Sequence, residues 1–555
     1  MSLRGKKWLI KNADNQKELF QKLLENRNLN EDFEMENFHD PFLFSEMKKA
    51  VGRIEKAIKE KERIIIFGDY DVDGISGTAI LMHTLKEIGA EVSCRVPNRL
   101  DDGYGLSVKF IKEFEEKKVG LIITVDCGIS GKIPIAHAKE KGIETIITDH
   151  HTIPAEFPSE AFAIIHPKLA NSGYPFEDLT GAGVALKLAH ALIQTKVDPE
   201  KKEDFLESLL DLASLGTVAD LGPLLNENRL IVKRGLKILS NTRWAGLRRI
   251  KELANLKDGD LVDTHNIGYH LAPRINAAGR IGDPYIPLLL LLQKELTSQT
   301  QYLGESLENL NKERQKMTET ALGEAEQILS SPKDQFILIA QNSDWHVGVL
   351  GLIAGKLAEK HGRPAIIMQD FGDMLTGSAR SPQYFNIIEA ITHCKEHLSG
   401  FGGHAQAAGF NVKKENLQAF KEKISDYAKK ILKGKELKSI IEIDCEIKEP
   451  EISFNTIEKI QELAPFGIGN QKPTFLIKNI EPLFIQQVGR TADHMKFQIN
   501  IGGKKYGVIA FGMGKLADEL RILRKMDMVF HLEINRWNNK ESIQLQALDF
   551  EACQQ

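Results

Sequence analysis

The chain has little cysteine, and its cysteines are widely separated. The 555 residues include five, at positions 94, 127, 394, 445 and 553, and no two of them form a Cys-x-x-Cys motif. This scatter argues against a disulfide framework and against a zinc site built from thiolates. It is typical of proteins from a reducing compartment, so we predict a cytoplasmic location.

Long apolar runs and an excess of positive charge are also missing. The longest leucine run, Leu288–Leu292, is far too short to cross a membrane. The basic N-terminus lacks a sustained apolar segment and a small-residue cleavage site, so neither a signal peptide nor a membrane contact is expected. The formal net charge is −4. Any contact with a polyanion must therefore come from a local groove or patch.

The length and composition predict several globular domains. With 42% hydrophobic and 27% charged residues, a chain of this size should form roughly three or four domains. We predict a lead-in at 1–50, an α/β domain with a helical extension at 51–286, a connecting helix at 287–330, a smaller α/β domain at 331–435 and a β-barrel at 436–555.

The first α/β domain is predicted from apolar segments that alternate with amphipathic helical patterns, such as Val108–Lys117 and Ile133–Lys141. The expected strands are Arg63–Phe67, Glu91–Val96, Gly120–Val125, Thr145–Thr148 and Phe162–Ile165. Near-continuous apolar strands between helices indicate a parallel sheet that is covered on both faces. Such sheets bind ligands beyond the carboxyl ends of their strands.

Three aspartates, Asp69, Asp71 and Asp73, follow the first strand at alternate positions. Taken alone, they fit an acidic turn that caps a helix as well as they fit a metal site. Carboxylates this close repel one another, and they are hard to hold near a core unless cations neutralise them. The residues that follow the other strands are needed to choose between the acidic turn and the metal site.

The later strands of the same sheet also end in acids or histidines. Asp126 ends the third strand, Asp149, His150 and His151 end the fourth, and His166 ends the fifth. Turn chemistry alone does not account for this accumulation at one edge. Carboxylate oxygens together with imidazole suit Mn²⁺ or Mg²⁺ better than zinc.

The region from 176 to 330 is predicted to be helical. A helix at 205–220 with a break near Gly216 places Asp220 at a turn, where an isolated aspartate fits a helix cap as well as a ligand. Arg274 and Arg280 are separated by small residues and are predicted to approach a phosphodiester. The helical pattern from 287 to about 329 suggests a spacer between two lobes.

The second α/β domain contains the glycine-rich stretch Gly402-Gly403-His404-Ala-Gln-Ala-Ala-Gly409. Its backbone amides and imidazole predict an anion-binding helix start, although a glycine-rich packing turn fits the stretch equally well. The tail after 436 shows short alternating strands, which indicate a small β-barrel. Several basic and aromatic residues there, including Lys504, Phe497 and Tyr506, are predicted to form a groove with stacking faces.

These motifs together resemble a known family. Asp69–Gly74, Val125–Gly128, Asp149–His151 and the segment around Asp220 resemble the four motifs of the DHH phosphoesterase superfamily, and Gly402–Gly409 resembles the signature of its accessory DHHA1 domain. Three more particular segments resemble the RecJ family of bacterial single-strand-specific exonucleases: Pro97–Leu106, Ala272–Arg280 and Trp345–Val349. The resemblance covers about residues 62–410, and the barrel fits an OB-like domain.

The resemblance implies processive 5′→3′ hydrolysis of single-stranded DNA to 5′-mononucleotides, in recombination and repair. It implies two divalent ions, Mn²⁺ or Mg²⁺, bridged by Asp126. Asp69 and Asp71 are expected to favour one ion, and Asp73, His150 and Asp220 the other. This division stays open, since Asp69 binds either directly or through water.

The resemblance also implies substrate contacts. His151 is expected to face the scissile phosphate, with Asp149 and His166 as supports for the ligands. The predicted contacts of the 5′ end of the DNA are Arg99, Tyr104, Ser378 and Arg380. Those of the scissile phosphate are Arg280 and His404. Arg274, Gly402 and Gly403 are also expected to contact the DNA strand. A narrow channel that excludes duplex DNA, a monomeric state, and a helicase and a single-strand-binding protein as partners are further expectations.

Two alternatives stay open at this point. The first is a DHH hydrolase of short oligonucleotides or of a small phosphate ester, which would not need the spacer helix or the barrel. The second is a non-catalytic DNA-binding scaffold on the same fold, which would be expected to lose carboxylates that are all present here.

Overall fold

The computed structural model describes residues 2–11, 17–29, 34–99, 101–103, 105–329, 335–537 and 540–553. Contacts divide the chain into two compact units. One consists of Glu34–Met317 with Pro465–Asn470, and the other of Met1–Phe33, Thr318–Ala464 and Gln471–Gln555. The five segments predicted from the sequence are not separated by this division, and their boundaries stay predictions.

The strands and helices are numbered in chain order. The strands are β1 (Lys7–Ile10), β2 (Arg63–Gly68), β3 (Val92–Arg95), β4 (Val119–Val125), β5 (Glu144–Thr148), β6 (Ala163–Ile165), β7 (Leu338–Asn342), β8 (Ala365–Phe371), β9 (Met374–Arg380), β10 (Leu398–His404), β11 (Ala407–Lys413), β12 (Ile440–Ile443), β13 (Cys445–Glu446), β14 (Phe475–Ile480), β15 (Pro482–Val488), β16 (His494–Ile501), β17 (Lys504–Ala510), β18 (Met526–Trp537) and β19 (Lys540–Ala552). The helices are α1 (Leu19–Glu25), α2 (Met47–Lys59), α3 (Val72–Glu87), α4 (Val108–Glu116), α5 (Lys132–Glu140), α6 (Gly181–Lys196), α7 (Lys202–Glu207), α8 (Leu210–Ala219), α9 (Asn226–Ser240), α10 (Ala245–Leu253), α11 (Ala272–Ile281), α12 (Tyr285–Leu291), α13 (Ser298–Ile328), α14 (Leu350–His361), α15 (Ile387–His393), α16 (Leu417–Leu432), α17 (Phe454–Glu462) and α18 (Ala517–Ile522).

The unit around Glu34–Met317 contains the predicted parallel sheet, in the order β3-β2-β4-β5-β6. Alternate residues of the strands point into two separate cores. Ile64 and Ile66 of β2 pack with helices α3 and α6, whereas Ile65 and Phe67 pack with α4 and α5. Both faces are covered, which confirms the predicted class and explains why the strands are almost wholly apolar.

The other unit contains two larger sheets. The first has the order β10-β11-β9-β8-β7, and the second is a seven-stranded sheet in the order β13-β14-β18-β19-β17-β16-β15. The N-terminal strand β1 pairs in parallel with β12, and Trp8 donates a hydrogen bond from Nε1 to buried Asp549 at 2.9 Å. The first residues of the chain therefore belong to the same unit as the last.

Several predicted elements are wrong in detail. The helical pattern at 287–329 is two helices, α12 and α13, and the helix at 205–220 breaks at Ser208–Leu209 rather than at Gly216. The barrel also contains two strands that were not predicted, β13 and β15, and its last two strands are long, with 12 and 13 residues. The physical reason is that packing against other elements decides where these helices and strands begin and end, and the local sequence pattern does not contain that information.

Among the helices of the described ranges, none has both the length and the apolar character needed to span a bilayer. All five cysteines lie in these ranges, and each is free.

Candidate metal centre and substrate contacts

The three aspartates at the start of the site combine the two interpretations that the sequence left open. Asp71 is the N-cap of α3, and its Oδ1 accepts the backbone N–H groups of Asp73 at 3.0 Å and Gly74 at 3.1 Å. Asp69 is buried, and its Oδ1 has no hydrogen-bond partner among the described residues. The segment is therefore a capped turn that also holds a buried, unsatisfied carboxylate oxygen, which is a feature expected of a metal ligand.

Asp126 lies directly after β4 in an uncommon backbone conformation, with φ of 59°. Its N–H donates to the carbonyl of Thr148 at 3.0 Å. A Cβ atom on Gly181, at the start of α6, would lie only 2.5 Å from the Asp126 side chain. The glycine thus allows the helix to approach the carboxylate, and left-handed backbone at a non-glycine residue is typical of functional sites.

Asp73 is held by the N-terminus of the same helix. Its two oxygens accept the N–H groups of Gly181 at 2.6 Å and Ala182 at 2.9 Å. On the other side it meets Gly216 of α8, where any Cβ would overlap with the carboxylate. Gly216 is therefore a position of close packing against Asp73 rather than the helix break that was predicted.

His150 joins the carboxylates into one cluster. Its Nε2 lies 3.1 Å from Asp126, 3.6 Å from Asp220 and 3.8 Å from Asp73, measured to carboxylate oxygens. Three groups of side chains are close enough to hold a cation: Asp69, Asp71 and Asp126; Asp73, His150 and Asp220; and Asp126, His150 and His151. The six predicted ligands thus converge, and Asp126 belongs to two of the three groups.

The electrostatics of the cluster favour the binding of cations. Burial and the charge of Asp71 raise the pKa of Asp73 to about 7, and burial and the charge of Asp73 raise the pKa of Asp126 well above its usual range. Asp220 keeps 35% of its side chain exposed, yet burial of its carboxyl group and the charge of Asp73 raise its pKa to about 8. Burial lowers the pKa of His150 to about 3, so this imidazole is neutral and able to bind a metal. Divalent ions would relieve the repulsion among these carboxylates.

Asp149 organises the two histidines that follow it. Its Oδ1 accepts the N–H of His150 at 2.7 Å and lies 2.8 Å from Nδ1 of His151. Burial would raise the pKa of Asp149, but the hydrogen bond from His151 lowers it to about 2. Burial would lower the pKa of His151, but the bond to Asp149 raises it to about 9. His151 is therefore a cation at neutral pH.

His166 supports the same loop through a hydrogen bond to its backbone. It is fully buried, and its Nε2 lies 2.9 Å from the carbonyl of His151, while its Nδ1 accepts the N–H of Lys168 at 3.2 Å. The accepting Nδ1 leaves the ring proton on Nε2, which donates to that carbonyl. This contact fits the supporting role predicted for His166 and Asp149.

Two of the predicted arginines lie beside the cluster, next to Tyr70. The Arg99 guanidinium is 5.6 Å from the centre of the Tyr70 ring. Burial raises the pKa of Tyr70 to about 12, and the nearby charges of Arg99 and Arg280 oppose this increase. Both arginines are thus within electrostatic range of the same phenol. Tyr104 lies outside the described residues.

Arg274 does not have the position predicted for it. Its Nε donates to Glu308 at 2.8 Å, and its two other nitrogens donate to the carbonyls of His270 at 2.6 Å and Leu253 at 3.0 Å. The side chain is only 13% exposed. Because each of its three nitrogens already donates within the protein, Arg274 ties helices together, which does not favour the contact with a phosphodiester that was predicted.

The predicted contacts of the second α/β domain lie together in the other unit. Ser378 pairs with Gly409 and Arg380 with Ala407 across β9 and β11, and the same rows continue to Gly402 and His404 on β10. Gly402, Gly403 and His404 are exposed on a β-hairpin, so the predicted helix start is wrong. Alternating small residues suit a flat strand edge as well as a helix start, and pairing with β11 decides between them.

Sequence reasoning missed three contributions to the site. These are the Gly181 and Ala182 amides that hold Asp73, the close packing at Gly216, and the position of Tyr70 beside Arg99 and Arg280. The Thr180-Gly-Ala-Gly start of α6 was a signal for close backbone approach. Nothing in the sequence identified what the backbone approaches.

Comparison with known proteins agrees with this geometry. Residues 63–217 match the DHH family, N-terminal domain, residues 334–430 match the DHHA1 domain, and residues 443–549 match the RecJ OB domain. The last of these confirms the OB type of the C-terminal barrel. The structure is similar to the crystal structure of RecJ in complex with Mn²⁺ from Thermus thermophilus, with a TM-score of 0.83 and 27% identity over 99% of this chain and 80% of that chain.

Two relatives extend the similarity to most of the sequence. The single-stranded-DNA-specific exonuclease RecJ of Bacillus subtilis is 37% identical over 92% of this chain, which spans 64% of that protein. The protein of the same name from Dickeya dadantii is 33% identical over 91% of this chain and 90% of its own length. This chain therefore belongs to the RecJ family of single-stranded-DNA-specific exonucleases.

Proposed function

We propose that this chain hydrolyses single-stranded DNA from the 5′ end to 5′-mononucleotides, in DNA repair and recombination. The observation that carries the proposal is the convergence of Asp126 and five other side chains that could hold metal ions, at the carboxyl edge of the parallel sheet. Its family membership gives the substrate class, and the complete set of ligands argues against a non-catalytic scaffold.

The residues fit two divalent ions, and the similar RecJ from Thermus thermophilus has crystal structures in complex with Mn²⁺ and with Mg²⁺. The buried Asp69 Oδ1 without a hydrogen-bond partner and the neutral His150 imidazole are both suited to metal binding. We assign Asp126 as the shared ligand, Asp69 and Asp71 to one ion, and Asp73, His150 and Asp220 to the other. Bound ions of this kind lower the pKa of water and neutralise charge on a phosphodiester.

His151 is the group of this chain that we assign to the phosphate. Its Nδ1 donates to Asp149, so the imidazolium carries a second proton on Nε2. That proton is suited to a hydrogen bond with the scissile phosphate or to transfer to the leaving oxygen. Asp149 fixes the orientation of the ring, and His166 fixes the loop on which it lies.

Arginines supply the remaining charge at this edge. Arg99 and Arg280 lie beside Tyr70, which is between Asp69 and Asp71 in the sequence. Planar guanidinium groups in this position can bind phosphate oxygens in pairs. We assign Arg99 to the 5′ end of the strand and Arg280 to the scissile phosphate. The roles of Tyr104, Ser378, Arg380, Gly402, Gly403 and His404 stay predictions, as do a monomeric state, a cytoplasmic location, and a helicase and a single-strand-binding protein as partners.

The direct test compares three substrates with Mn²⁺ present. A long single strand labelled at its 5′ end should release labelled mononucleotide, a blunt duplex should be resistant, and a dinucleotide should not be preferred. Exclusive hydrolysis of the dinucleotide would contradict the proposal and would favour a hydrolase of short oligonucleotides. The Asp126→Asn variant serves as the control for a contaminating nuclease.

A further inference from the structure

One exposed aromatic cluster lies outside the metal centre, on the helix that ends at Arg280. The chain is helical without a break from Thr264 to Ile281, and Asn266–Leu271 forms a π-helical segment before α11. Within it, the rings of His265 and Tyr269 stack with centroids 4.5 Å apart and an interplanar angle of 21°. Tyr269 is 73% exposed. A large ring held by its neighbour yet open to solvent is a preformed surface for stacking, and π-helical turns occur frequently at functional sites.

The burial pattern places this ring on the same face as Arg280. Tyr269, Pro273, Asn276 and Arg280 follow at spacings of four, three and four residues, so they lie along one face of the helix. All four are at least partly accessible, whereas Ile275 and Ala278 on the other side of the helix are buried. We call these four residues the Tyr269 stripe.

The Arg280 end of the stripe lies at the metal centre. A Cβ atom on Gly279 would lie 2.7 Å from the carbonyl oxygen of Tyr70, so α11 packs directly against the residue between Asp69 and Asp71. Eleven residues of helix separate Tyr269 from Arg280, which corresponds to about 16 Å. An extended single strand that has its scissile phosphate at Arg280 and follows this helix would pass Tyr269 a few nucleotides further along.

The charges around Tyr269 favour contact with a base rather than with a phosphate. Asp263 lies just before the helix and accepts the N–H of Asn266 at 2.8 Å. A phosphate would be repelled by this carboxylate. A neutral base would not be, and every base has a face that can stack on an aromatic side chain.

We propose that Tyr269, supported by His265, is a stacking site for one unpaired base of the strand, a few nucleotides to the 3′ side of the bond that is cut. This inference rests on the proposed function and adds a base-binding subsite to it. The ligand is a base of any sequence, since stacking does not discriminate among bases by hydrogen bonding. The site would favour single strands, whose bases are free to leave the stack.

The experiment uses the full chain in EDTA, with 5′-phosphorylated strands that carry 2-aminopurine at successive positions. We expect the fluorescence to be quenched at one position beyond the second nucleotide. We expect Tyr269→Leu to abolish this quenching and to weaken strand binding by about tenfold, whereas Tyr269→Phe retains both. The dependence of affinity on salt should be unchanged in Tyr269→Leu, since no phosphate contact is lost.

Two controls separate the outcomes. Tyr302→Leu removes a ring of similar exposure, 70%, on α13 of the same unit and should change nothing. Hydrolysis of a dinucleotide with Mn²⁺ should be equal in wild type and Tyr269→Leu, because a dinucleotide does not reach the ring. An equal loss on the dinucleotide, an equal loss in Tyr302→Leu, or no position that depends on Tyr269 would overturn the proposal. A wild-type protein that hydrolyses no single strand would contradict the proposed function instead.

Discussion

Acidic side chains crowd together in a buried site at the edge of the parallel sheet, whereas the C-terminal barrel has charged pairs at its surface and a buried Asp549 that accepts hydrogen bonds from Trp8 and Arg4. Asp73 is 1% exposed and Asp126 3%, and the basic side chains that pair with them are histidines. In the barrel unit, Lys504 pairs with Glu449 at 2.8 Å and Arg536 with Glu541 at 2.8 Å. Like charges that crowd together in a buried site indicate a missing ligand, whereas exposed and balanced charges do not.

The exposure of two predicted stacking residues of the barrel differs from that of Tyr269. Phe497 and Tyr506 of the barrel were predicted to offer stacking faces, but they are 2% and 7% exposed and belong to its interior. Tyr269, in the unit of the metal centre, is 73% exposed. The same residue types therefore have different roles, and exposure decides which of them is available to DNA.

The largest effect is expected at the shared carboxylate. Asp126→Asn keeps the shape of the side chain but removes the charge that belongs to two of the three groups of ligands. Hydrolysis of a single strand should decrease by several orders of magnitude, while binding of the strand without metal should largely survive. The rate of hydrolysis measured under single-turnover conditions tests this. An unchanged rate would show that Asp126 is not part of the site.

Glycine variants test whether close packing shapes the site without any ligand being removed. A Cβ at Gly181 or Gly216 would collide with Asp126 or Asp73. We expect Gly181→Ala and Gly216→Ala each to weaken Mn²⁺ binding by about 10- to 100-fold, because displaced ligands lose their geometry. The control is Gly323→Ala, on a helix where a Cβ meets nothing within 4 Å. Equal calorimetric affinities in all three variants would show that the packing does not position the ligands.

Much of this comparison was predictable from the sequence, and the limits have physical reasons. Strands β2 to β6 were found because short apolar runs alternate with helical patterns, and parallel topology then brought Asp69, Asp126 and Asp149 to one edge. Arg274 and Arg280 look alike in the sequence, yet Arg274 is tied to Glu308 and two carbonyls, whereas Arg280 lies near Tyr70. Local patterns do not reveal such partners, which come from distant parts of the chain.

The same limit explains Gly216 and the glycine-rich hairpin. A glycine within a helical pattern suggests a break, but at 216 it allows contact with Asp73 from a different element. The stretch at 402–404 has the composition of an anion-binding helix start, and pairing with β11 makes it a strand instead. In both cases the deciding contact is non-local.

The stability of the metal-free protein should depend on pH because of the buried acids of the metal centre. The folded-state pKa values of Asp73, about 7, and Asp220, about 8, lie above the ordinary value of 3.8, so the folded state binds more protons than the unfolded state. Stability should therefore decrease as pH rises from about 4 to about 8. We expect the melting temperature in EDTA to decrease by several degrees over this range, and Mn²⁺ to reverse the decrease. An unchanged melting temperature in EDTA would contradict the buried repulsion.

The smallest effect is expected in the barrel. Lys504→Ala removes one partner of a surface pair with Glu449, which water and salt already screen. Neither the melting temperature nor Mn²⁺ affinity should change measurably. A clear loss of stability would show that the stability of the barrel depends on its charges, as we expect only for the metal centre.

The most direct test of the central claim is anomalous X-ray scattering from crystals of the full chain soaked in Mn²⁺. We predict two ions about 3.5–4 Å apart at the end of β4, with Asp126 bound to both. Asp69 and Asp71 should lie on one ion, and His150 and Asp220 on the other. A single ion, or two ions that do not share Asp126, would contradict the account.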